Sequence, residues 1–217
     1  MLKYFIQLLI ILISTDSFSC PAQIAKTTAY YLPDAEKICG EYGTQCEKFM
    51  SEVSMQGSGR LNLNEIIRRT GEIEAIDSCM TTRGSGLNCL VPYISVAADS
   101  RLYEKGDIIH MPAMKGQKVR LANGQAIKHP GYFIVHDVGG GIVGPGRFDF
   151  FTIDENLHQI NNSFGYRARP EMRMYSLETC SENKKFEIVK PDTAEYTYAA
   201  KEIKKVSGLV NQLLLTE

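Results

Sequence analysis

The stretch Ser95–Phe151 decides the fold of this chain. It reads SVAADSRLYEKGDIIHMP over residues 95–112 and GYFIVHDVGGGIVGPGRFDFF over residues 131–151. Aromatic and β-branched runs, which favour strands, alternate there with glycine and proline, which favour turns. Asp99, Asp137 and Asp149 each stand beside an apolar run. A carboxyl group held against apolar neighbours is poorly solvated, which raises its pKa and suits it to general acid catalysis.

Short strands follow one another through this half of the chain. They are predicted over Ile94–Ala98, Asp107–His110, Lys118–Leu121, Tyr132–Val138 and Phe148–Ile153. The pair Asn123-Gly124 predicts a hairpin turn after Lys118–Leu121. Many short strands with turns between them favour a closed or nearly closed β-barrel over a parallel sheet covered by helices. We therefore predict a mainly β fold, with a barrel domain over residues 20–191.

Residues before this stretch predict a short strand and a few short elements. Thr27–Pro33 is aromatic and β-branched and predicts a strand closed by proline. A helix broken at its glycines is expected over Asp34–Met50, followed by an extended segment over Ser51–Met55 and a turn over Gln56–Gly59. A short helix over Glu65–Arg69 is then expected, with Asn64 as its cap.

The end of the chain predicts a separate amphipathic helix over residues 192–217. Asp192 is its predicted N-cap, with Glu195 as the capping-box partner. Ile203, Val206, Val210 and Leu213 recur at helical spacing. Such an apolar stripe is expected to pack against the barrel or to close one end of it, and docking to a membrane or partner is the alternative.

Residues 1–19 resemble a secretory signal peptide. Lys3 is followed by the run Tyr4–Ile13, which is apolar apart from Gln7. Ser17 and Ser19 are small residues at the two positions that a signal peptidase reads, and we predict cleavage after Ser19. The run is too short for a membrane span, which needs about 20 residues. An uncleaved anchor and a lipoprotein acylated on Cys20 are the alternatives. The prediction is an exported protein, periplasmic or extracellular, with no stable membrane span.

The six cysteines favour disulfides, because their number is even and they follow an export signal. Closing a short loop costs little entropy, so we expect the local pairs Cys39–Cys46 and Cys79–Cys89. Cys20–Cys180 would then join the two ends. The alternative is that the cysteines bind zinc, but the sequence has no CxxC pair and its four histidines are not spaced as zinc ligands. We therefore predict no metal and no cofactor.

Composition indicates a compact globular domain and argues against a general nucleic-acid-binding protein. At 217 residues, with 44% hydrophobic residues, the chain can form one compact domain with its own core. The formal net charge of -1 gives no indication of general nucleic-acid binding. Oligomeric state is not indicated.

Strand alternation predicts where the key side chains point. Arg147, Asp149 and Phe151 should share one face of a strand, with Phe148 and Phe150 buried on the other. By the same rule Phe133, Val135 and Asp137 should share a face, with His136 opposite in a structural or surface role.

If their strands are neighbours, Asp137 and Asp149 converge. Two close carboxylates raise each other's pKa, whereas Arg147 opposes the effect, and the sequence leaves the balance open. An aspartate beside glycine is also ordinary turn chemistry, which is the alternative for Asp137. Asp149 lies inside an aromatic strand, so it needs a partner or a function.

Several ordered motifs resemble the three-aspartate or 3D domain of MltA-type lytic transglycosylases, enzymes of bacterial cell walls. They are A-A-D at Ala97–Asp99 with Gly106, H-D-V-G-G-G-I-V-G at His136–Gly144, and R-F-D-F-F at Arg147–Phe151. Thr28–Pro33 and Met55–Gly59 are similar to the family's T-G-Y-Y-x-P and M-Q-G-S-G segments. The family pattern departs at Ser100, where proline is usual, and at Val143, where lysine is usual.

The resemblance implies a double-psi β-barrel and a non-hydrolytic reaction. That reaction cleaves the link between N-acetylmuramic acid and N-acetylglucosamine in peptidoglycan and leaves a 1,6-anhydro end. Asp149 matches the catalytic acid that later acts as base, Asp137 the second carboxylate, and Asp99 a supporting carboxylate. The expected substrate-binding residues are Tyr31, Gln56, Ser58, Gly139, Gly140 and Arg147, since glycine lets a sugar approach the backbone. The expected partner is a peptidoglycan glycan strand, without nucleic acid.

Two alternatives use the same barrel. One is a non-catalytic carbohydrate-binding module of the expansin kind, and the other is an inverting glycoside hydrolase. The products distinguish the three hypotheses. A lytic transglycosylase gives anhydro ends, a binding module gives no cleavage, and a hydrolase gives reducing ends.

Overall fold

The computed structural model describes residues 25–76, 79, 81–86, 88–121, 125–153, 167–169, 174–176 and 185–214. Its strands are β1 Lys26–Tyr30, β2 Ser58–Asn62, β3 Glu65–Arg68, β4 Ile73–Ala75, β5 Ser95–Ala98, β6 Ile108–His110, β7 Lys118–Arg120, β8 Ala126–Lys128, β9 Tyr132–Val138, β10 Arg147–Phe151, β11 Arg167–Arg169, β12 Met174–Ser176 and β13 Glu187–Val189. The helices are α1 Ala35–Cys39, α2 Glu47–Gln56 and α3 Ala194–Leu214, with a 3-10 turn at Pro112–Met114. The predicted signal peptide and the Asn123-Gly124 turn lie outside the described residues.

The largest sheet has six strands in the order β1-β10-β5-β9-β6-β13. Its β1–β10 and β5–β9 pairs are parallel, and its other pairs are antiparallel. Strands β2-β3-β4 form a second sheet, and β7-β8 and β11-β12 form two-stranded sheets. The mainly β class is confirmed. Within the described strands β1 and β13 remain edges of the large sheet, so closure into a barrel is not confirmed.

The main core lies on one face of the large sheet. Phe133, Phe148 and Phe150 are fully buried there, and the rings of Phe133 and Phe150 lie 4.7 Å apart. Helix α3 contributes its apolar stripe to the same core, through Ala199, Ile203, Val206 and Val210. Packing against the sheet, the preferred expectation for this helix, is confirmed.

The start of helix α3 differs from the prediction by one residue. Thr193 is the cap, because its Oγ1 accepts the backbone N–H of Tyr196 at 3.1 Å. Asp192 instead has a left-handed backbone, with φ of 62°. Glu195 therefore has no capping-box role, and its carboxylate lies 3.4 Å from His110 Nδ1.

The prediction of an extended Ser51–Met55 is wrong, because these residues are the second half of helix α2. Phe49 and Val53, one helical turn apart, are fully buried against Ala35, Leu61 and Ile67. Gly57 ends the helix with φ of 94°. Burial of one helix face has outweighed the local preference of Val53 for a strand.

The predicted helix over Glu65–Arg69 is also wrong, because Glu65–Arg68 forms strand β3. This strand is the centre of the second sheet and pairs with both β2 and β4. Its two middle residues, Ile66 and Ile67, are β-branched and buried in different apolar clusters. Side chains that alternate between two buried surfaces suit a strand and not a helix.

Two of the three predicted disulfides are confirmed. Cys39–Cys46 joins helix α1 to the start of α2, and Cys79–Cys89 closes a loop that we call the strap, residues 79–89. Cys20 and Cys180 lie outside the described residues, so their pairing stays a prediction.

We expect the mature protein to contain no free thiol. Thiol titration of denatured, unreduced protein measures this directly, with reduced protein as the positive control. A pair of free thiols would contradict the Cys20–Cys180 bond. A single free thiol would instead indicate that Cys20 is modified.

Candidate active site

Four residues lie in register across four strands of the large sheet. Thr28 on β1 pairs with Asp149 on β10, which pairs with Ala97 on β5, which pairs with Asp137 on β9. Strand β5 therefore separates the two aspartate strands, which were expected to be neighbours if the carboxylates converge. Because Ala97 has only a methyl side chain, both carboxylates still face one cavity across it.

A β-bulge turns Asp137 toward the cavity. Val96 pairs with Val135, but the next residue, Ala97, pairs with Asp137, so His136 is an extra residue on β9. Val135 is consequently buried in the main core while Asp137 lines the cavity, and the prediction that both share a face is wrong. A bulge redirects a side chain in this way because it breaks the alternation of faces.

His136 has a structural environment. Its Nδ1 lies 2.9 Å from Ser95 Oγ, and burial is the main reason that its pKa is lowered. This agrees with the structural role expected from the sequence.

The pKa of Asp149 is raised by its environment, in the direction that a general acid needs. Burial raises the pKa of its carboxyl from 3.8 to about 6. A hydrogen bond from Thr28 Oγ1 to Asp149 Oδ1, 2.6 Å long, and the charge of Arg147 oppose the shift, while the charge of Asp137 adds to it. Burial is the largest contribution, and of the two charges whose balance the sequence left open, Arg147 has the larger effect on the pKa. The predicted faces are also found, since Asp149 and Arg147 line the cavity and Phe148 and Phe150 lie in the core.

The carboxylate of Asp137 is held by three donors. The backbone N–H groups of Ser85 and Val138 bind its Oδ1 at 2.6 and 2.9 Å, and the hydroxyl of Tyr30 binds its Oδ2 at 3.2 Å. Each partner donates, which suits an ionised carboxylate that can only accept. Ser85 belongs to the strap, so the disulfide-closed loop and strand β9 meet at this carboxylate.

Tyr30 is a site residue that the sequence analysis missed. The centre of its ring lies 5.3 Å from that of Phe151. The pKa of the Tyr30 phenol is raised well above its ordinary value, mainly by burial and then by the charges of Asp137 and Asp149. The phenol thus stays a hydrogen-bond donor. Alternation on β1 puts Tyr30 on the same face as Thr28, but only the structure shows that this face contacts the aspartates.

Tyr31, the tyrosine that was predicted to bind substrate, does not line the cavity. It is buried, its hydroxyl donates to Glu52 at 3.0 Å, and its backbone N–H donates to Gln56 Oε1 at 3.2 Å.

Asp99 supports the turn that contains five glycines, residues 139–146, which we call the glycine turn, from outside the cavity. Its Oδ2 accepts the N–H of Gly144 at 2.8 Å and lies 2.6 Å from Arg101. Arg101 and then the Gly144 N–H hold the pKa of Asp99 below its ordinary value. Nearby, the Tyr103 hydroxyl accepts the N–H of Gly146 at 2.8 Å. The far end of the turn is therefore fixed to the segment that follows β5.

The cavity has a volume of about 900 Å³ and two walls of different origin. The acid wall comes from the large sheet and the glycine turn, and consists of Tyr30, Ala97, Asp137, Val138, Gly139, Gly140, Gly141, Ile142, Arg147 and Asp149. The second wall comes from the end of α2, the second sheet and the strap, and includes Gln56, Ser58, Arg68, Arg69, Glu72, Glu74, Arg83 and Ser85. All the predicted substrate-binding residues except Tyr31 therefore lie in one cavity.

Two negative findings apply to the described part of the chain. It contains no group of three or more histidine, cysteine or acidic side chains placed to hold a metal ion. None of its helices is long and apolar enough to cross a membrane.

The glycine turn gives a matched pair of substitutions. A Cβ on Gly139 would lie 2.8 Å from Ile142 Cγ1, whereas a Cβ on Gly140 would have no atom within 4 Å, and the φ of Gly140 is not positive. Gly139→Ala is expected to lower the free energy of unfolding by about 1–3 kcal/mol, because Ile142 is buried and must shift. Gly140→Ala is expected to stay within about 0.5 kcal/mol. Chemical denaturation measures both, and equal losses would contradict this geometry.

Comparisons with known proteins agree with the motifs. Residues 94–177 match the 3D domain family. No curated protein matches the chain. Among solved structures, the crystal structure of Escherichia coli MltA with bound chitohexaose matches with 15% identity and a TM-score of 0.36, over 60% of this chain and 65% of that chain. A crystal structure of MltA from the same organism matches with 15% identity and a TM-score of 0.34, over 60% of this chain and 66% of the other. The match to the 3D domain family spans the motifs around Asp99, Asp137 and Asp149, on which the resemblance in the sequence was based.

Proposed function

We propose that this protein is a lytic transglycosylase that cleaves the β-1,4 bond between N-acetylmuramic acid and N-acetylglucosamine in peptidoglycan. The observation that carries the proposal is a carboxyl group, Asp149, whose pKa is raised to about 6 by burial at the edge of a large cavity. Such a group keeps its proton up to a pH of about 6, far above an ordinary aspartate, and is suited to give it to a leaving oxygen. The match to the 3D domain family and the MltA-like motifs support the choice of peptidoglycan as the substrate.

Asp149 can serve both halves of this reaction. Its carboxyl donates a proton to the glycosidic oxygen as the bond from the muramic C1 to that oxygen breaks. The muramic 6-hydroxyl then attacks C1 from within the same sugar, and the Asp149 carboxylate accepts the hydroxyl proton as the new C1–O6 bond forms. The acid is regenerated and no water is consumed, so a second carboxylate is not needed as base or nucleophile.

Asp137 is assigned to positioning and to setting the proton affinity of Asp149. Its charge raises the pKa of Asp149, and its three donors from Tyr30, Ser85 and Val138 fix it in place. A fixed negative charge in the same cavity also favours the oxocarbenium-like charge that develops on the sugar. Gly139 and Gly140 leave open backbone on the same wall for the sugar to approach.

The family resemblance extends the proposal to fold and location. We assign a double-psi β-barrel to residues 20–191, supported by the 3D domain match and by a mainly β fold with two parallel strand pairs. Residues 1–19 are assigned as a signal peptide, and residues 192–217 as the C-terminal helical segment. The disulfides Cys39–Cys46 and Cys79–Cys89 fit an oxidising compartment. The protein would thus act in the periplasm or outside the cell.

An inverting glycoside hydrolase is the second candidate, because one observation favours it. Asp137 and Asp149 lie two strands apart, which puts their backbones about 10 Å from each other. Inverting enzymes separate their carboxyl groups by about 6.5–9.5 Å so that a water molecule fits between. In this protein, however, Asp137 already accepts hydrogen bonds on both oxygens, which leaves it poorly placed to activate water. Mass spectrometry of the products distinguishes 1,6-anhydro ends from reducing ends.

Asp149→Asn is expected to abolish turnover while leaving the fold and glycan binding nearly intact. Asparagine is nearly isosteric, but its amide can neither give a proton to the leaving oxygen nor take one from the 6-hydroxyl. General acid–base catalysis contributes about 10²–10⁴-fold, and we expect the upper end because one group acts twice. Asp137→Asn should lower the rate less and should move the pH optimum. Release of anhydro-muropeptides from purified peptidoglycan is the measurement.

Wild-type kcat/KM is expected to fall as the pH rises through about 6, because the free enzyme then loses the Asp149 proton. Asp107→Asn is the matched control, since Asp107 lies outside the cavity and its Oδ2 accepts the backbone N–H of Glu104. If Asp149→Asn keeps more than about a tenth of wild-type turnover, against the expected loss, the acid is misassigned.

A further inference from the structure

The second wall of the cavity contains charges that the proposed reaction does not use. Arg68, Arg69 and Arg83 line this wall together with Glu72 and Glu74. Arg68 and Glu74 form one ion pair, and the described residues of this wall thus include more arginines than glutamates.

Arg68 has a structural role. Its Nε and Nη2 donate to both carboxylate oxygens of Glu74 at 2.9 and 2.8 Å, and its Nη1 donates to the backbone carbonyl of Arg83 at 2.8 Å. This bidentate pair ties strand β3 to β4, and the third bond ties both to the strap. The guanidinium of Arg68 is therefore occupied by hydrogen bonds within the protein.

Arg69, the next residue, is arranged differently. Its backbone N–H donates to the carbonyl of Gly57 at 2.9 Å, which fixes it beside Gln56 and Ser58 at the end of α2. Its side chain is exposed and lines the cavity, and it forms no ion pair among the described residues. A guanidinium held at a cavity wall without a carboxylate partner is available to one on a ligand.

The proposed substrate carries such a group. Each muramic residue bears a lactyl ether whose carboxyl is either free or linked to a peptide with carboxylates of its own. Glycans built only of N-acetylglucosamine, such as chitohexaose, are uncharged. Recognition of this carboxylate would distinguish the muramic glycan from a neutral one of the same backbone.

We propose that Arg69 binds a carboxylate attached to the muramic residue, and so selects peptidoglycan over uncharged glycans. This inference rests on the proposed function, because it takes the substrate class from it. The planar guanidinium can bind both oxygens of a carboxylate, with Gln56 and Ser58 beside it on the same wall. Arg69 acts here as a specificity residue and takes no part in proton transfer.

The test uses binding to the Asp149→Asn protein, which is expected to hold the glycan without cleaving it. Calorimetry with a peptide-free muramic oligosaccharide, its peptide-bearing form and chitohexaose gives three dissociation constants. Arg69→Gln is expected to weaken binding of a muramic glycan by about tenfold or more, the loss of a hydrogen bond between charged groups. Binding of chitohexaose should not change. Arg69→Lys should bind the muramic glycan more tightly than Arg69→Gln but less tightly than the parent, because lysine keeps the positive charge but cannot bind both carboxylate oxygens as the planar guanidinium does.

The comparison of ligands locates the carboxylate. A loss with the peptide-free oligosaccharide indicates the lactyl group, and a loss only with the peptide-bearing form indicates the peptide. Lys48→Gln is the control, since Lys48 is an exposed cation outside the cavity. Equal weakening for all three ligands, or for none, would overturn the role of Arg69 while leaving the proposed function standing. Failure of the Asp149→Asn parent to bind any of the three would overturn both.

Discussion

The burial of one carboxyl group is the constraint on which the rest of this structure depends. Asp149 lies in an aromatic strand, and removal from water makes its ionised form unfavourable, so its pKa rises to about 6. Thr28 and Arg147 limit that shift without cancelling it. The core beneath the strand is built from Phe148 and Phe150, which hold β10 so that Asp149 faces the cavity. The buried position thus destabilises the ionised form of Asp149 and lets the carboxyl keep its proton up to a pH of about 6.

The surroundings of Asp149 are held by elements far apart in the sequence. Ala97 on β5 provides the space between the two carboxylates, and the bulge at His136 turns Asp137 into that space. The strap, closed by its disulfide, brings the Ser85 N–H to Asp137. Asp137 is therefore placed beside Asp149 by three features together, which are the small side chain of Ala97, the bulge at His136 and the disulfide-closed strap. Pre-organisation of this kind suits a reaction in which positive charge develops on the substrate.

Much of this arrangement was predictable, for reasons that differ from residue to residue. The alternation of Arg147, Asp149 and Phe151 follows from strand geometry alone, and the local disulfides follow from short loop closure. The orientation of Asp137 was not predictable in this way, because a bulge is set by pairing between distant strands. Ile66 and Ile67 were assigned to a helix, since their burial on two sides depends on the partners β2 and β4. Tyr30 was overlooked in favour of Tyr31, because the face of β1 that meets the aspartates is set by the pairing of β1 with β10. The strap contact at Ser85 depends on tertiary structure and left no sequence signal.

The central claim is that Asp149 retains its proton well above the pH at which an ordinary aspartate loses it. A carbon-13 NMR titration of the aspartate carboxyl groups tests this most directly, with the Asp149 resonance assigned by its absence in Asp149→Asn. The account predicts a midpoint of about 6 for this carboxyl in the wild-type protein. A midpoint at the ordinary value of 3.8 would contradict it, because Asp149 would then be ionised in the pH range where the proposed reaction needs an acid.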